Sequence, residues 1–287
     1  MKKICVGLLL SLCLVGQVFA APINVVAAEN FYGQLAKEIG GEQVRVTSIM
    51  QNPDADPHLF TTAPSTSIAL YKAQIIIYNG VDYDPWMDSL LKSLPQQSCI
   101  IQVATLMQVK DGDNPHLWYK PETFPKLARK LAAEIIRINP QQAKQINLNL
   151  QHFLRDYSKV ERQIAYIKQH YPATKVTATE PVFGYMAQAL GFKMYGEDFQ
   201  WKIMNGSEPG PRTIAAYQDL LQSKKVKLMF YNQQVISPLT TNLQRLARKN
   251  QIALVGVSET MPAKISISNW LSAALSTIIL ALAKGQQ

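Results

Sequence analysis

PQQAKQINLNLQHFLRDYSKVERQIAYIKQH, running from Pro140 to His170, is the stretch on which the fold turns. Apolar or aromatic residues fall at Ala143, Ile146, Leu150, Phe153, Tyr157, Val160, Ile164 and Ile167, in steps of 3, 4, 3, 4, 3, 4 and 3. A continuous α-helix is the regular structure that lines all eight up on one stripe. Pro140 suits its first turn, and Pro172 stands just past its end. At about 1.5 Å per residue such a helix is roughly 45 Å long. The stripe lacks the sustained Leu and flanking charge pairs of a coiled-coil arm. It is expected to be a rigid spine.

Outward from the spine, both sides alternate short β-branched runs with helical patterns. On the N-terminal side, strands are predicted at 23–27, 44–50, 75–78 and 100–104, with helices at 31–39, 65–72 and 84–94. On the C-terminal side, strands are predicted at 175–179, 192–195, 226–231 and 252–257, with helices at 182–190, 212–221, 239–249 and about 268–284. Strands alternating with helices imply parallel sheets. The expected architecture is α/β, with two lobes, each a parallel sheet flanked by helices. They span 22–139 and 172–287 and are joined by the long helix at 140–171.

Ahead of the first lobe, Lys2 and Lys3 precede an apolar run from Ile4 to Val15, and Val18-Phe19-Ala20 offers small residues at the −3 and −1 positions of a cleavage site. That pattern predicts a signal peptide over residues 1–20, removed after about Ala20, and export to the periplasm. The run is shorter than a membrane span, and no second apolar stretch is read as a stop-transfer segment. Leu12 directly before Cys13 argues against a lipid anchor. Removal of 1–20 leaves Cys99 without a partner, so stability must come from a core. It also takes the net charge from +9 to +7, scattered along the chain rather than gathered in a basic stripe. No nucleic-acid partner is expected.

Of four histidines, two lie in related loops, Asp54-Ala55-Asp56-Pro57-His58 and Asp111-Gly112-Asp113-Asn114-Pro115-His116. A proline before each holds the preceding residue extended and helps project the imidazole in a fixed direction. His152 and His170 fall off the apolar stripe of the spine, as solvated or locally bonded surface residues do. Glu180 and Glu259 stand just beyond the ends of predicted strands, where open parallel sheets bind ligands. Glu180, directly before Pro181, also suits a helix cap. Taken together, two imidazoles and two carboxylates make a mixed nitrogen and oxygen set suited to zinc or manganese.

These residues resemble the metal-specific cluster of ABC-transporter solute-binding proteins, which import zinc, manganese or iron. The resemblance covers essentially the whole chain. It is carried by Asp56-Pro57-His58 after Ser48-Ile49-Met50, by Asn114-Pro115-His116-Leu117-Trp118, and by Thr179-Glu180-Pro181-Val182-Phe183-Gly184-Tyr185. Ser258-Glu259-Thr260 falls where other members carry a ligating Asp. The resemblance implies metal ligation by His58, His116, Glu180 and Glu259, with zinc or manganese as transported ligand. It implies a membrane permease of an ABC importer as partner, and a monomer. Three departures are visible. Asn114 replaces the family's Asp, Glu259 is one methylene longer than Asp, and residues 105–115 lack the histidines of zinc-type members.

Two rival readings share some of these features. A zinc hydrolase needs an open coordination position and a separate acid or base, and no HExxH, Gly-x-Ser-x-Gly or phosphate-loop motif is present. A receptor for a metal chelate, haem or a siderophore, would line its cleft with rings, for which Tyr83, Trp86 and Trp118 are available. Those three are expected instead to pack the interface between the lobes.

Overall fold

The computed structural model describes residues 21–52, 60–94 and 98–284. The first lobe is built from β1 (Ile23–Glu29), α1 (Asn30–Gly40), β2 (Val44–Met50), α2 (Pro64–Lys72), β3 (Ile75–Tyr78), α3 (Pro85–Leu91), β4 (Cys99–Gln102), α4 (Val103–Met107) and α5 (Thr123–Ile138). After α6 (Ala143–His170), the second contains β5 (Lys175–Ala178), α7 (Gly184–Ala189), β6 (Lys193–Tyr195), α8 (Glu197–Met204), α9 (Pro211–Gln222), β7 (Leu228–Asn232), α10 (Pro238–Lys249), β8 (Ala253–Val257) and α11 (Ile267–Lys284). Both sheets are parallel, with orders β2-β1-β3-β4 and β6-β5-β7-β8. The two lobes thus repeat one topology, and each has its switch point between its first and third strands. This is the expected two-lobe α/β fold.

Local differences have local causes. Val103 and Ala104 leave the strand expected at 100–104 and begin α4, with the Ala104 N–H donating to Asn79 O, just past the end of β3. The helix expected at 84–94 stops at Leu91. The sequence reading assigns no element to 120–139. There Phe124, Leu127, Ala128, Leu131, Ala132 and Ile135 give α5 a buried face at helical spacing.

The spine forms as the periodicity requires. Ile146, Phe153, Tyr157, Val160 and Ile167 are buried, while Ala143, Leu150 and Ile164 are partly buried. Residues 140–142 make a single 3-10 turn before α6. The helix packs on α1, α5 and α11. Its polar side chains stitch the same contacts. Asn149 Nδ2 donates to Ile39 O (2.9 Å), Tyr157 OH to Pro121 O (2.8 Å) and Gln163 Nε2 to Ser276 Oγ (2.9 Å).

α11 was not anticipated as a membrane-length segment. It is the one helix among the described residues long and apolar enough to cross a bilayer, with a mean hydropathy of 1.4. It buries Ile267, Trp270, Leu271, Leu275, Ile278 and Leu282, and packs against α6, β8 and α1. That placement makes it a core helix bridging the lobes.

A file of rings continues the bridge. Tyr83, Trp118, Phe31, Trp270, Tyr119, Phe183 and Phe230 stand in sequence with centroids 4.8, 4.8, 5.9, 5.7, 4.8 and 4.7 Å apart. Each such pair contributes about 0.5–1.5 kcal/mol beyond the area it buries. Tyr83 and Trp118 therefore pack towards the second lobe as expected. Trp86 lies on Phe60 (4.9 Å) and packs against both the main core and a smaller apolar cluster of the first lobe.

One feature at the end of β1 costs stability at neutral pH. Glu29 is 1% exposed, and its carboxyl oxygens have no hydrogen-bond partner among the described residues. Burial, and then the nearby Asp84, push its pKa well up. Burial also pushes Asp84 up to about 6, although its oxygens accept the Asn79 and Gly80 N–H groups at 2.7 Å. A carboxyl group with a raised folded pKa holds its proton to higher pH than the unfolded chain does. Its contribution is therefore intact below the unfolded value and is lost as pH rises through the folded one. Denaturant titrations from pH 5 to 8 should show stability falling with pH, and falling less in Glu29→Gln, by about 1–3 kcal/mol across the range. Equal falls in both proteins would remove Glu29 from this role.

Candidate metal centre

His116 reaches the space between the lobes on a loop beyond α4, and its position is specified from both sides. Tyr32 OH donates to Asn79 Oδ1 (2.7 Å), and Asn79 Nδ2 donates to Pro115 O (2.8 Å), holding the loop from the first lobe. Asn114 Nδ2 donates to Pro181 O (2.7 Å), and Tyr185 OH donates to Asn114 O (2.9 Å), holding it from the second. A Cβ on Gly184 would lie 2.8 Å from Asn114 Nδ2, so glycine there is what admits this approach.

With its Nδ2 given to Pro181, Asn114 presents Oδ1 to His116, 2.6 Å from Nδ1 and 3.1 Å from the backbone N. An amide oxygen only accepts, so the proton sits on Nδ1 and the ring's lone pair on Nε2. His116 is fully buried, and Nε2 has no hydrogen-bond partner among the described residues. Facing it is Glu259 Oε2 at 3.7 Å, beyond hydrogen-bonding distance.

Glu180 and Glu259 sit two residues past β5 and β8, and are 4% and 0% exposed. Glu180 occupies the N-cap position of the 3-10 turn Pro181–Phe183, yet its side chain makes no capping bond. The capping role is thus corrected. Its Oε2 instead accepts from Asn232 Nδ2 at 2.6 Å, and the same nitrogen donates to Glu259 Oε1 at 2.6 Å. One amide therefore holds both carboxylates.

The Glu259 loop is clamped too. Gln234 Oε1 accepts Glu259 N–H (2.6 Å), and Gln234 Nε2 donates to Thr260 Oγ1 (2.7 Å). From the first lobe's side, Tyr119 OH donates to Ser258 O (2.9 Å), while Asn30 exchanges two hydrogen bonds with the backbone of Met261 (2.8 and 3.0 Å).

Of the four expected site residues, His116 and Glu259 face each other at 3.7 Å, and Glu180 is tied to Glu259 through Asn232. His58 lies outside the described residues. Among the described residues no group of three His, Cys, Asp or Glu side chains is placed to hold a metal ion. His152 and His170 are exposed on α6, and His170 is bonded locally through Nδ1 to Tyr166 O (2.8 Å). The sequence reading passed over Asn232. It ends β7 at the carboxyl edge of the second sheet, the same criterion that singled out Glu180 and Glu259. Asn114 was noticed as a departure from a motif, without its bond to the imidazole.

A family model described as the periplasmic component A of the zinc-uptake complex, ZnuA, matches residues 25–281. The chain belongs to the ZnuA family. It is a metal-binding component of a transport complex and not an enzyme. Relatives of this ZnuA-family chain include the manganese-binding lipoprotein MntA of Bacillus subtilis, 26% identical over 225 residues, which cover 74% of this chain and 72% of that protein. The iron-binding protein YfeA of Yersinia pestis is 22% identical over 220 residues, covering 74% and 70%. Among solved structures, the periplasmic zinc-binding protein TroA of Treponema pallidum superposes with a TM-score of 0.76 at 17% identity, over 92% of this chain and 99% of that one. A manganese-bound periplasmic metal-binding protein from Candidatus Liberibacter asiaticus gives 0.74 at 17% identity, over 90% and 98%. At those identities the likeness is one of fold.

Nitrogen-15 NMR of the apo protein should find His116 as the Nδ1–H tautomer, and Asn114→Ala should abolish that preference while the rest of the spectrum persists. A Nε2–H ring in the unaltered protein would contradict the assignment.

Proposed function

We propose that this chain captures one divalent transition-metal ion between its lobes, at His58, His116, Glu180 and Glu259, and hands it to the membrane permease of an ABC importer. The observation that carries the reading is the buried Nε2 of His116. Its lone pair is directed by Asn114, lacks a hydrogen-bond partner among the described residues, and stands 3.7 Å from a carboxylate oxygen. Two donors at that separation, each about 2.0–2.1 Å from one ion, subtend roughly 125–135°, wider than the tetrahedral angle, so a shift of a few tenths of an ångström would bring them to a tetrahedral site. A bare ion fits this setting better than a chelate, because Trp118 is fully buried and Tyr83 packs against it at 4.8 Å, which leaves no pair of free ring faces between which a planar chelate would stack.

The proposed cargo is zinc or manganese, and zinc should bind more tightly in vitro, since affinity rises along the Irving–Williams series. The chain is proposed to work as a monomer in the periplasm, without a nucleic-acid partner. Residues 1–20 would act as a cleaved signal peptide, leaving lobes at 22–139 and 172–287 around the connecting helix. Between Gln141 and Gln169 the spine has neither Pro nor Gly. Wide hinge bending would have to break helix hydrogen bonds, so release falls to the loops that carry the ligands.

Elemental analysis of purified protein, with zinc and manganese competition, tests the reading. Wild type should hold one ion per chain. His116→Ala, Glu180→Gln and Glu259→Gln should each weaken binding by more than ~100-fold, beyond the 10- to 100-fold typical of residues that only support a ligand. His152→Ala and His170→Ala should leave it unchanged. Full stoichiometry in the His58→Ala, His116→Ala double variant would refute the site.

A further inference from the structure

Asn232 ends β7 between the two carboxylates of the proposed site, and it is built as a donor to both. It is 3% exposed. Its backbone N–H donates to Thr179 Oγ1 (3.1 Å), and its Oδ1 accepts Gln234 N–H (3.1 Å). The second bond settles the orientation of the amide. With Oδ1 committed to Gln234, the NH₂ group faces Glu180 and Glu259, whereas a flipped amide would set an oxygen against two carboxylate oxygens.

We infer that Asn232 is a specificity-determining residue of the metal site, which biases it towards a four-coordinate ion by occupying one oxygen of each carboxylate. The inference rests on the metal-binding reading above. The two N–H groups draw Glu180 Oε2 and Glu259 Oε1 to one nitrogen, at 2.6 Å each. For Glu259 the consequence is visible: Oε1 is turned to the amide and Oε2 to His116 Nε2. A carboxylate divided in this way ligates through one oxygen. Two single-oxygen carboxylates and the His116 imidazole make three donors, and one further ligand completes the four that zinc takes in closed sites. Manganese favours oxygen-rich octahedral coordination, and reaches it most readily when carboxylates chelate through both oxygens. Asn232 acts through Glu180 and Glu259 as a positioning residue. Removing its N–H groups releases the second oxygen of each.

The measurement is the dissociation constant of zinc and of manganese, by chelator competition, in wild type, Asn232→Leu and Asn232→Ala. Leu keeps the branched outline of Asn without its donors, though it is bulkier, and Ala covers the case in which Leu does not fold. Relative to wild type, the preference for zinc over manganese should shrink by about tenfold or more, since supporting residues typically change metal affinity by 10- to 100-fold. If both metals weaken by the same factor, Asn232 is merely structural and the inference is overturned. X-ray absorption on the wild type loaded with each metal needs no variant. Four near neighbours around zinc support the inference, and a manganese site chelated by both carboxylates would overturn it. A wild type that binds neither metal would instead sink the metal-binding reading, and this inference with it.

Discussion

The site exists because two lobes are held at one fixed distance, and the contact that fixes it is the file of rings from Tyr83 through Trp118, Phe31, Trp270, Tyr119 and Phe183 to Phe230. Interiors are close-packed, so a file of this kind does not stretch by fractions of an ångström without losing contacts. Two of its members, Trp118 and Tyr119, touch the site and its supports. His116 and Trp118 share a loop and an edge-to-face contact at 5.2 Å, and Tyr119 donates across the cleft to the Glu259 loop. Packing beneath the site thereby becomes geometry within it.

The repeated topology sets a carboxyl group and an amide at the same point of each lobe. At the switch point of the second sheet, β5 leads to Glu180 and β7 ends in Asn232. At the corresponding point of the first, β1 ends in Glu29 and β3 leads to Asn79. Asn232 bridges two carboxylates, and Asn79 bridges Tyr32 to the His116 loop. In both lobes an amide at the carboxyl edge of the third strand organises whatever the neighbouring loops bring. Burying two carboxylates this deeply is costly unless they are bonded, and an amide donating to both offsets part of that cost without adding charge.

Much of this was legible in the sequence, for identifiable reasons. The spine was visible because eight apolar residues keep a strict 3-and-4 step, and the eight strands because short β-branched runs end at turn residues. α5 was as regular as the spine along Phe124, Leu127, Leu131 and Ile135, and was passed over because no glycine closes it before Pro140. Glu180 and Glu259 were visible because strand ends in parallel sheets are where ligands collect. Asn232 met the same criterion, but its amide carries no charge to draw the eye, and its role arises only when two distant loops meet it. The ring file was not legible, because Phe31, Trp118, Phe183 and Trp270 are far apart in sequence and share no pattern.

The most direct test of the whole account is a crystal of the protein grown with manganese, its anomalous scattering mapped. One peak is expected, about 2.0–2.3 Å from His116 Nε2 and from a carboxylate oxygen of both Glu180 and Glu259. A peak elsewhere, such as beside Glu29 and Asp84, with the His116 ring left uncoordinated, would contradict it.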